Sequence, residues 1–259
     1  MKKRKQLIIL FTSFLMLTLT ACGLHQSETL VSGDLTEKNI TQVCNILRDA
    51  NLSNVDVFQQ WVRSAASGDS NHADEVSGFS DADCRMTVML LAGDQIRYNS
   101  TEENYTGNYL MFDLDAIENN EEFLILKENE ELFTTMFGEM PISASGFADS
   151  LPDRWNKHGI QVDDSKWSII SILFKAYKQE EAFVGHTGIL IDCRDLEDVG
   201  SDYLFLEKIA FGDPFKITWV NDEDELIGIL SERADYTVED DEPSPVVYKN
   251  GEKIGELKR

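Results

Sequence analysis

Two long apolar runs in the second half of the chain constrain the fold more than any other feature. Ser168 to Tyr177 is rich in Ile, Leu, Phe and Tyr, Lys178 to Glu181 is a polar turn, and Ala182 to Cys193 is apolar again. Two such runs joined by so short a turn predict an antiparallel hairpin. Asp202 to Phe211 and Phe215 to Val220 predict two further strands. Asp222 to Ala234 predicts a helix capped by Asn221 or Asp222, and Val246 to Leu257 a hairpin turning at Asn250-Gly251. The first half has helical spacing instead. Ile40, Val43, Cys44 and Leu47 share a stripe after Thr36, Val57, Phe58, Trp61 and Val62 mark a helix from Val55 to Ala66, and Cys84 to Leu91 is an apolar helical segment behind Asp81-Ala82-Asp83. N-terminal helices packed on a C-terminal antiparallel sheet define an α+β fold.

Between these halves, from about Asn99 to Trp155, acidic helical stretches (Glu118 to Glu122, Glu128 to Met136) alternate with loops, so residues 99–165 read as an acidic insertion within a single domain spanning 36–259. Asp113 and Asp115 begin like a calcium loop but lack its glycine and closing glutamate, and no phosphate-binding glycine loop is present. The reading therefore includes neither a metal nor a cofactor. Trp61, Trp155, Trp167 and Trp219 lie mostly in apolar-periodic segments and are expected in the core.

The first residues set the compartment. Lys2, Lys3, Arg4 and Lys5 precede an apolar run from Leu7 to Thr20, which is too short for a comfortable membrane span and of the length of a secretory signal. Leu19-Thr20-Ala21-Cys22 resembles the bacterial lipobox. That resemblance implies removal of residues 1–21, a diacylglycerol on Cys22, and attachment to the extracytoplasmic face of a bacterial cell membrane, since two acyl chains anchor stably where one does not. Residues 22–35 are then a polar tether. Loss of four of the 23 basic residues with the signal leaves 19 against 47 acidic groups, a net charge of −28. Such a surface repels nucleic acid, which excludes it as a partner.

With Cys22 lipidated, Cys44, Cys84 and Cys193 remain, an odd number that leaves at least one thiol free. The compartment permits disulfides, and a Cys44–Cys193 bridge leaving Cys84 free is one pairing. Cys84 begins a helix, where unpaired N–H groups and the positive end of the dipole favour a thiolate. A cysteine nucleophile needs a base from elsewhere in the fold, and His186, inside the apolar strand Phe183-Val184-Gly185-His186-Thr187-Gly188-Ile189, is the candidate. Glu207 stands among apolar residues on the next strand, where a lone carboxylate is expensive. It reads either as the group orienting His186 or as half of an ion pair with Lys or Arg. His25, His72 and His158 fall in polar or turn segments and are expected at the surface.

The run from Ala182 to Ile191, with Tyr203 to Phe211 and Asp213-Pro214-Phe215-Lys216, resembles domain-of-unknown-function family 4300, a set of bacterial lipoproteins, and Asp83-Cys84-Arg85-Met86-Thr87 looks like that family's cysteine motif. More distantly, Asp83-Cys84 at a helix start with His186-Thr187-Gly188-Ile189 on a strand is similar to the papain-like NlpC-type cell-wall peptidases. That similarity implies Cys84 as nucleophile and His186 as base, a papain-like core, and peptidoglycan peptides as substrate. Arg85-Met86 departs from the small Ser-Gly pair usual there. The competing expectation is a surface lipoprotein without catalysis, which binds or assembles and in which Cys84 is a buried thiol and His186 a core residue.

Overall fold

The computed structural model describes residues 29–31, 35–67, 81–102, 104–162, 165–176, 179–196, 199–233, 236, 238 and 242–258. The signal, the Cys22 lipidation site, most of the tether, His25, His72 and the loop at 68–80 lie outside them. Within the stretch read as tether, Thr29–Val31 forms strand β1 and pairs with the strand Phe215–Val220 (β8).

Helix α1 (Glu37–Asp49) starts at Thr36, whose hydroxyl accepts from the Asn39 N–H while the Asn39 side chain returns a bond to the Thr36 backbone. Two otherwise orphaned donors are satisfied in this reciprocal cap. Ile40, Val43, Cys44 and Leu47 are buried, as their spacing predicts. Helix α2 (Val55–Ser67) packs beside α1, and Asn54, just ahead of it, donates its side-chain amide to the Leu90 carbonyl at 2.9 Å. Helix α3 (Cys84–Ala92) is buried at every residue except Arg85. A helix apolar on all sides belongs in the middle of a structure, and α3 lies against both the sheet and the other helices.

The acidic segment contributes to this same core. Helix α4 (Met111–Asn119), a 3-10 run (Glu121–Asn129), α5 (Glu130–Phe137) and α6 (Ser150–His158) supply Ile117, Phe123, Leu126, Leu132, Phe133 and Leu151. The helix expected at Glu118–Glu122 is interrupted. The Asn119 and Asn120 side chains bond back to the Asp115 and Ala116 carbonyls at 3.0 and 2.8 Å and close α4 at Asn119.

The remaining elements are strands β2 (Ile96–Arg97) and β4 (Gln161–Val162), which pair with each other, β3 (Met140–Pro141), β5 (Trp167–Lys175), β6 (Glu181–Asp192), β7 (Tyr203–Lys208) and β8 (Phe215–Val220), helix α7 (Glu223–Ser231), and the hairpin β9 (Val246–Lys249) and β10 (Glu252–Glu256). The main sheet is antiparallel throughout, in the order β1-β8-β7-β6-β5-β9-β10, with β3 added at the start of β6. Its two faces bury different partners. Ile169, Ile189, Ile191, Leu204 and Leu206 meet the helical layer, whereas Ile170, Leu190, Phe205 and Val220 pack with Leu226 and Leu230 of α7. The fold is α+β, with its helices mostly N-terminal to the sheet.

Cys44, Cys84 and Cys193 are all buried free thiols. No Cys44–Cys193 bridge forms, so the pairing entertained from the sequence is corrected.

Candidate active site

Cys84 occupies the first position of α3. Asp83 caps this helix, its carboxylate accepting the Met86 N–H at 2.9 Å. The helix start is thus where the sequence puts it, and the Asp83 cap is added by the structure. The thiol's setting is closed, however: Cys84 is 3% exposed. Burial, reinforced by the Asp83 carboxylate, pushes the thiol up to about 12, overriding both Arg85 and the hydrogen bond that the sulfur accepts from the Thr187 N–H. The favourable helix start is outweighed by loss of water, because desolvation disfavours the charged form. That contact with Thr187 brings the sulfur to β6 one residue beyond His186.

The local path of β6 is set by a bulge. Ile172 pairs with His186 but Leu173 pairs with Val184, so Gly185 is an extra residue. A Cβ there would meet the Phe174 ring at 2.5 Å, and one at Gly188 would meet the Phe205 ring at 2.6 Å and the Leu206 carbonyl at 2.7 Å. The inserted residue shifts the alternation, as bulges do. Val184 faces the helical layer with Ile189 and Ile191, while His186 falls in phase with Leu190 on the α7 side. There its ring lies 5.7 Å from that of Tyr236.

On the α7 side, His186 Nε2 is 2.6 Å from Glu207 Oε2. Arg233 grips the same carboxylate with both terminal nitrogens, Nη1 at 2.8 Å from Oε2 and Nη2 on Oε1, and Nη1 also donates to the Tyr236 hydroxyl at 2.9 Å. Burial alone would raise Glu207, but the hydrogen bonds from His186 and Arg233 prevail and hold it at about 2. An ionised carboxylate only accepts, so Nε2 is the donor in this bond and Nδ1 is the ring nitrogen that does not contact Glu207. Glu207 is thus both hydrogen-bonded to His186 and ion-paired with Arg233. Arg233 and Tyr236 are site residues that the sequence reading missed. The signal for the arginine was present, because a carboxylate amid apolar neighbours requires a cation.

On the helical side, Arg85 Nε and Nη2 lie 2.8 and 3.2 Å from the two oxygens of Asp113, Nη1 donates to the Val184 carbonyl at 3.3 Å, and Nη2 is 2.8 Å from Asp83 Oδ2. Burial and the neighbouring Asp83 carboxylate hold the Asp113 carboxyl well above the usual range in spite of Arg85. Asp113, read in sequence as a poor calcium-loop start, is thus the partner of the arginine that follows the candidate nucleophile. Tyr109 lies under the Arg85 guanidinium at 5.8 Å and against Phe183 at 4.0 Å, and Phe183 stacks on Phe174.

The structure joins His186 to Glu207 and brings Cys84 to the adjoining strand residue. Among the described residues it forms no hydrogen bond between thiol and imidazole. Two open grooves, of about 970 and 850 Å³, are lined respectively by α1 with Leu196 and by Trp155 with the β9–β10 hairpin, and neither includes Cys84, His186 or Glu207. No cluster of three or more metal-ligating side chains, and no helix long and apolar enough to cross a membrane, occurs among the described residues. His158, expected at the surface, is instead buried at the end of α6. Its Nδ1 lies 3.2 Å from the Ser100 hydroxyl, and Arg154 beside it is also buried.

These features define an α+β domain with a buried cysteine at a helix start and a carboxylate-locked histidine on the facing sheet. The model of a domain of unknown function, DUF4300, matches residues 37–254, and the chain belongs to that family. No curated protein and no solved structure matches it significantly.

Proposed function

We propose that this chain is a cell-envelope lipoprotein, anchored through Cys22, that acts as a cysteine hydrolase or acyltransferase on amide bonds of cell-wall peptides, with a papain-like core. The observation that carries this reading is the pairing of two placements. His186 is locked through Nε2 by a Glu207–Arg233 pair, and the Cys84 sulfur touches the amide of the residue next to it. In the reaction, Nδ1 of His186 takes the thiol proton, the sulfur adds to the carbonyl carbon, and the proton passes to the departing amine as the C–N bond breaks. Water or a second amine then releases the acyl group from sulfur. Asp83 occupies the Met86 N–H, so the amides of Cys84 and Arg85 are the ones available to an oxyanion. The protonated, covered thiol corresponds to a resting state that substrate must open.

A chloroacetamide probe, read on the Cys84 peptide by mass spectrometry, tests the proposal. Labelling at pH 7 should fall at least about tenfold in His186→Gln, as removal of a general base requires. Equal total labelling of wild type and Cys84→Ala would sink it. The burial of Cys84 favours a second reading, a binding or assembly lipoprotein without catalysis. Absence of Cys84 labelling in the folded protein up to pH 9 would select that reading.

A further inference from the structure

Lys208 directly follows Glu207, so the two side chains leave β7 on opposite faces of the sheet. Its ammonium is fully buried on the helical side and is surrounded by acceptors: Asp81 Oδ2 at 2.7 Å, the Ala210 carbonyl at 2.8 Å and the Asp213 carbonyl. The same Asp81 oxygen accepts the Gly212 N–H at 2.7 Å, and Gly212 holds φ +75°, a left-handed conformation that glycine adopts without strain. The β7–β8 connection is therefore wrapped around the carboxylate of Asp81, three residues before Cys84. Asp81 Oδ1 in turn accepts the Ala82 N–H at 2.9 Å, which fixes the approach to the Asp83 cap. A buried ammonium is a poor source of stability, since an apolar side chain of similar volume does as well or better. What it supplies is a fixed position for whatever it grips, and here that is the segment leading into the candidate nucleophile.

We infer that Lys208 is the positioning residue for Cys84, as Glu207 is for His186, so that two adjacent residues of one strand align both halves of the pair from opposite sides of the sheet. The inference rests on the Cys84–His186 reading proposed above. It makes a demand that a merely structural lysine would not meet: removing Lys208 must abolish the dependence of Cys84 chemistry on His186.

A double-mutant cycle on the full chain tests it, with the chloroacetamide labelling rate of Cys84 at pH 7 as readout. His186→Gln should slow labelling about tenfold in an otherwise wild-type protein and less than twofold in Lys208→Met. Asp81→Asn releases the clamp from its outer end and should also reduce the His186 effect to below twofold, which keeps the test open should Lys208→Met fail to fold. Lys249→Met breaks a different cross-element pair, with Glu223 at 2.6 Å, and should leave the tenfold effect intact. A tenfold effect persisting in Lys208→Met or Asp81→Asn overturns the inference alone. No effect of His186→Gln in any background overturns the underlying Cys84–His186 reading and the inference with it.

Discussion

Two buried charge clusters flank Cys84, built from the same ingredients in different proportions. On the α7 side, one carboxylate, Glu207, faces a guanidinium and an imidazole, and is held down at about 2. On the helical side, two carboxylates, Asp83 and Asp113, share one guanidinium, and Asp113 is driven up. Burial raises a carboxyl in both places, so the number of donors available to it decides the net direction. The first cluster is charge-satisfied and rigid, which suits an orienting device. The second keeps a surplus of negative potential beside the thiol, which opposes thiolate formation while the site is closed.

The contrast can be broken most sharply by removing one arginine. Arg233→Met leaves Glu207 buried without its bidentate partner and should destabilise the fold by about 3–5 kcal/mol, the usual result of orphaning a buried charge. Asp113→Asn, which instead relieves a surplus, should not lower stability, as measured by urea denaturation at pH 7. Comparable losses in both variants would mean that donor number does not distinguish the clusters.

Acid titration sharpens the same comparison. Because Glu207 is lowered in the native state, its contribution is fully present above the ordinary carboxylate range near 4.5 and is lost as pH falls toward about 2, ~3 kcal/mol in all. Asp113 has the opposite sign. Its raised native value adds stability below about 3.8, and this is lost as pH rises through the raised value. In Glu207→Gln the acid-side loss should shrink, and in Asp113→Asn the decline on the alkaline side of 3.8 should disappear. Unchanged slopes of unfolding free energy against pH in these two variants would contradict the assignment.

A smaller effect tests the geometry between the clusters. Gly188→Ala drives a methyl group against the Phe205 ring and the Leu206 carbonyl and should lower stability by about 1–3 kcal/mol, seen as a lower melting temperature. The smallest expected effect concerns Cys44 and Cys193. As they are unbridged, reductant should leave the melting temperature unchanged.

Much of the scaffold was legible because it follows from periodicity. The strand runs, the buried stripe of α1 and the start of α3 at Cys84 all depend on residues close in sequence. Glu207 was also legible as an anomaly, a charge where only apolar residues belong. Arg233 and Tyr236 were not, because they follow α7 and meet Glu207 only through the folding of that helix across the sheet. Nor was the bulge at Gly185, which depends on how β6 registers with β5 and decides which face receives His186. Burial of His158 likewise comes from the docking of α6, although its sequence neighbours are polar.

Strand β1 has a consequence for reach. It runs antiparallel to β8, with Thr29 opposite Thr218 and Val31 opposite Lys216, so the chain enters the sheet from the Val220 end. Glu207 and Lys208 stand at the other end of β7, four or five residues from Tyr203, the partner of Val220, which is about 13–16 Å along the strand. Under the lipid-anchor reading, at most about 25 Å of chain separates Cys22 from Thr29. On that reading the lipid is tied to the Val220 end of the sheet, whereas the buried Cys84 and His186 belong to the opposite end, so the tether and the candidate chemistry load the sheet from opposite directions.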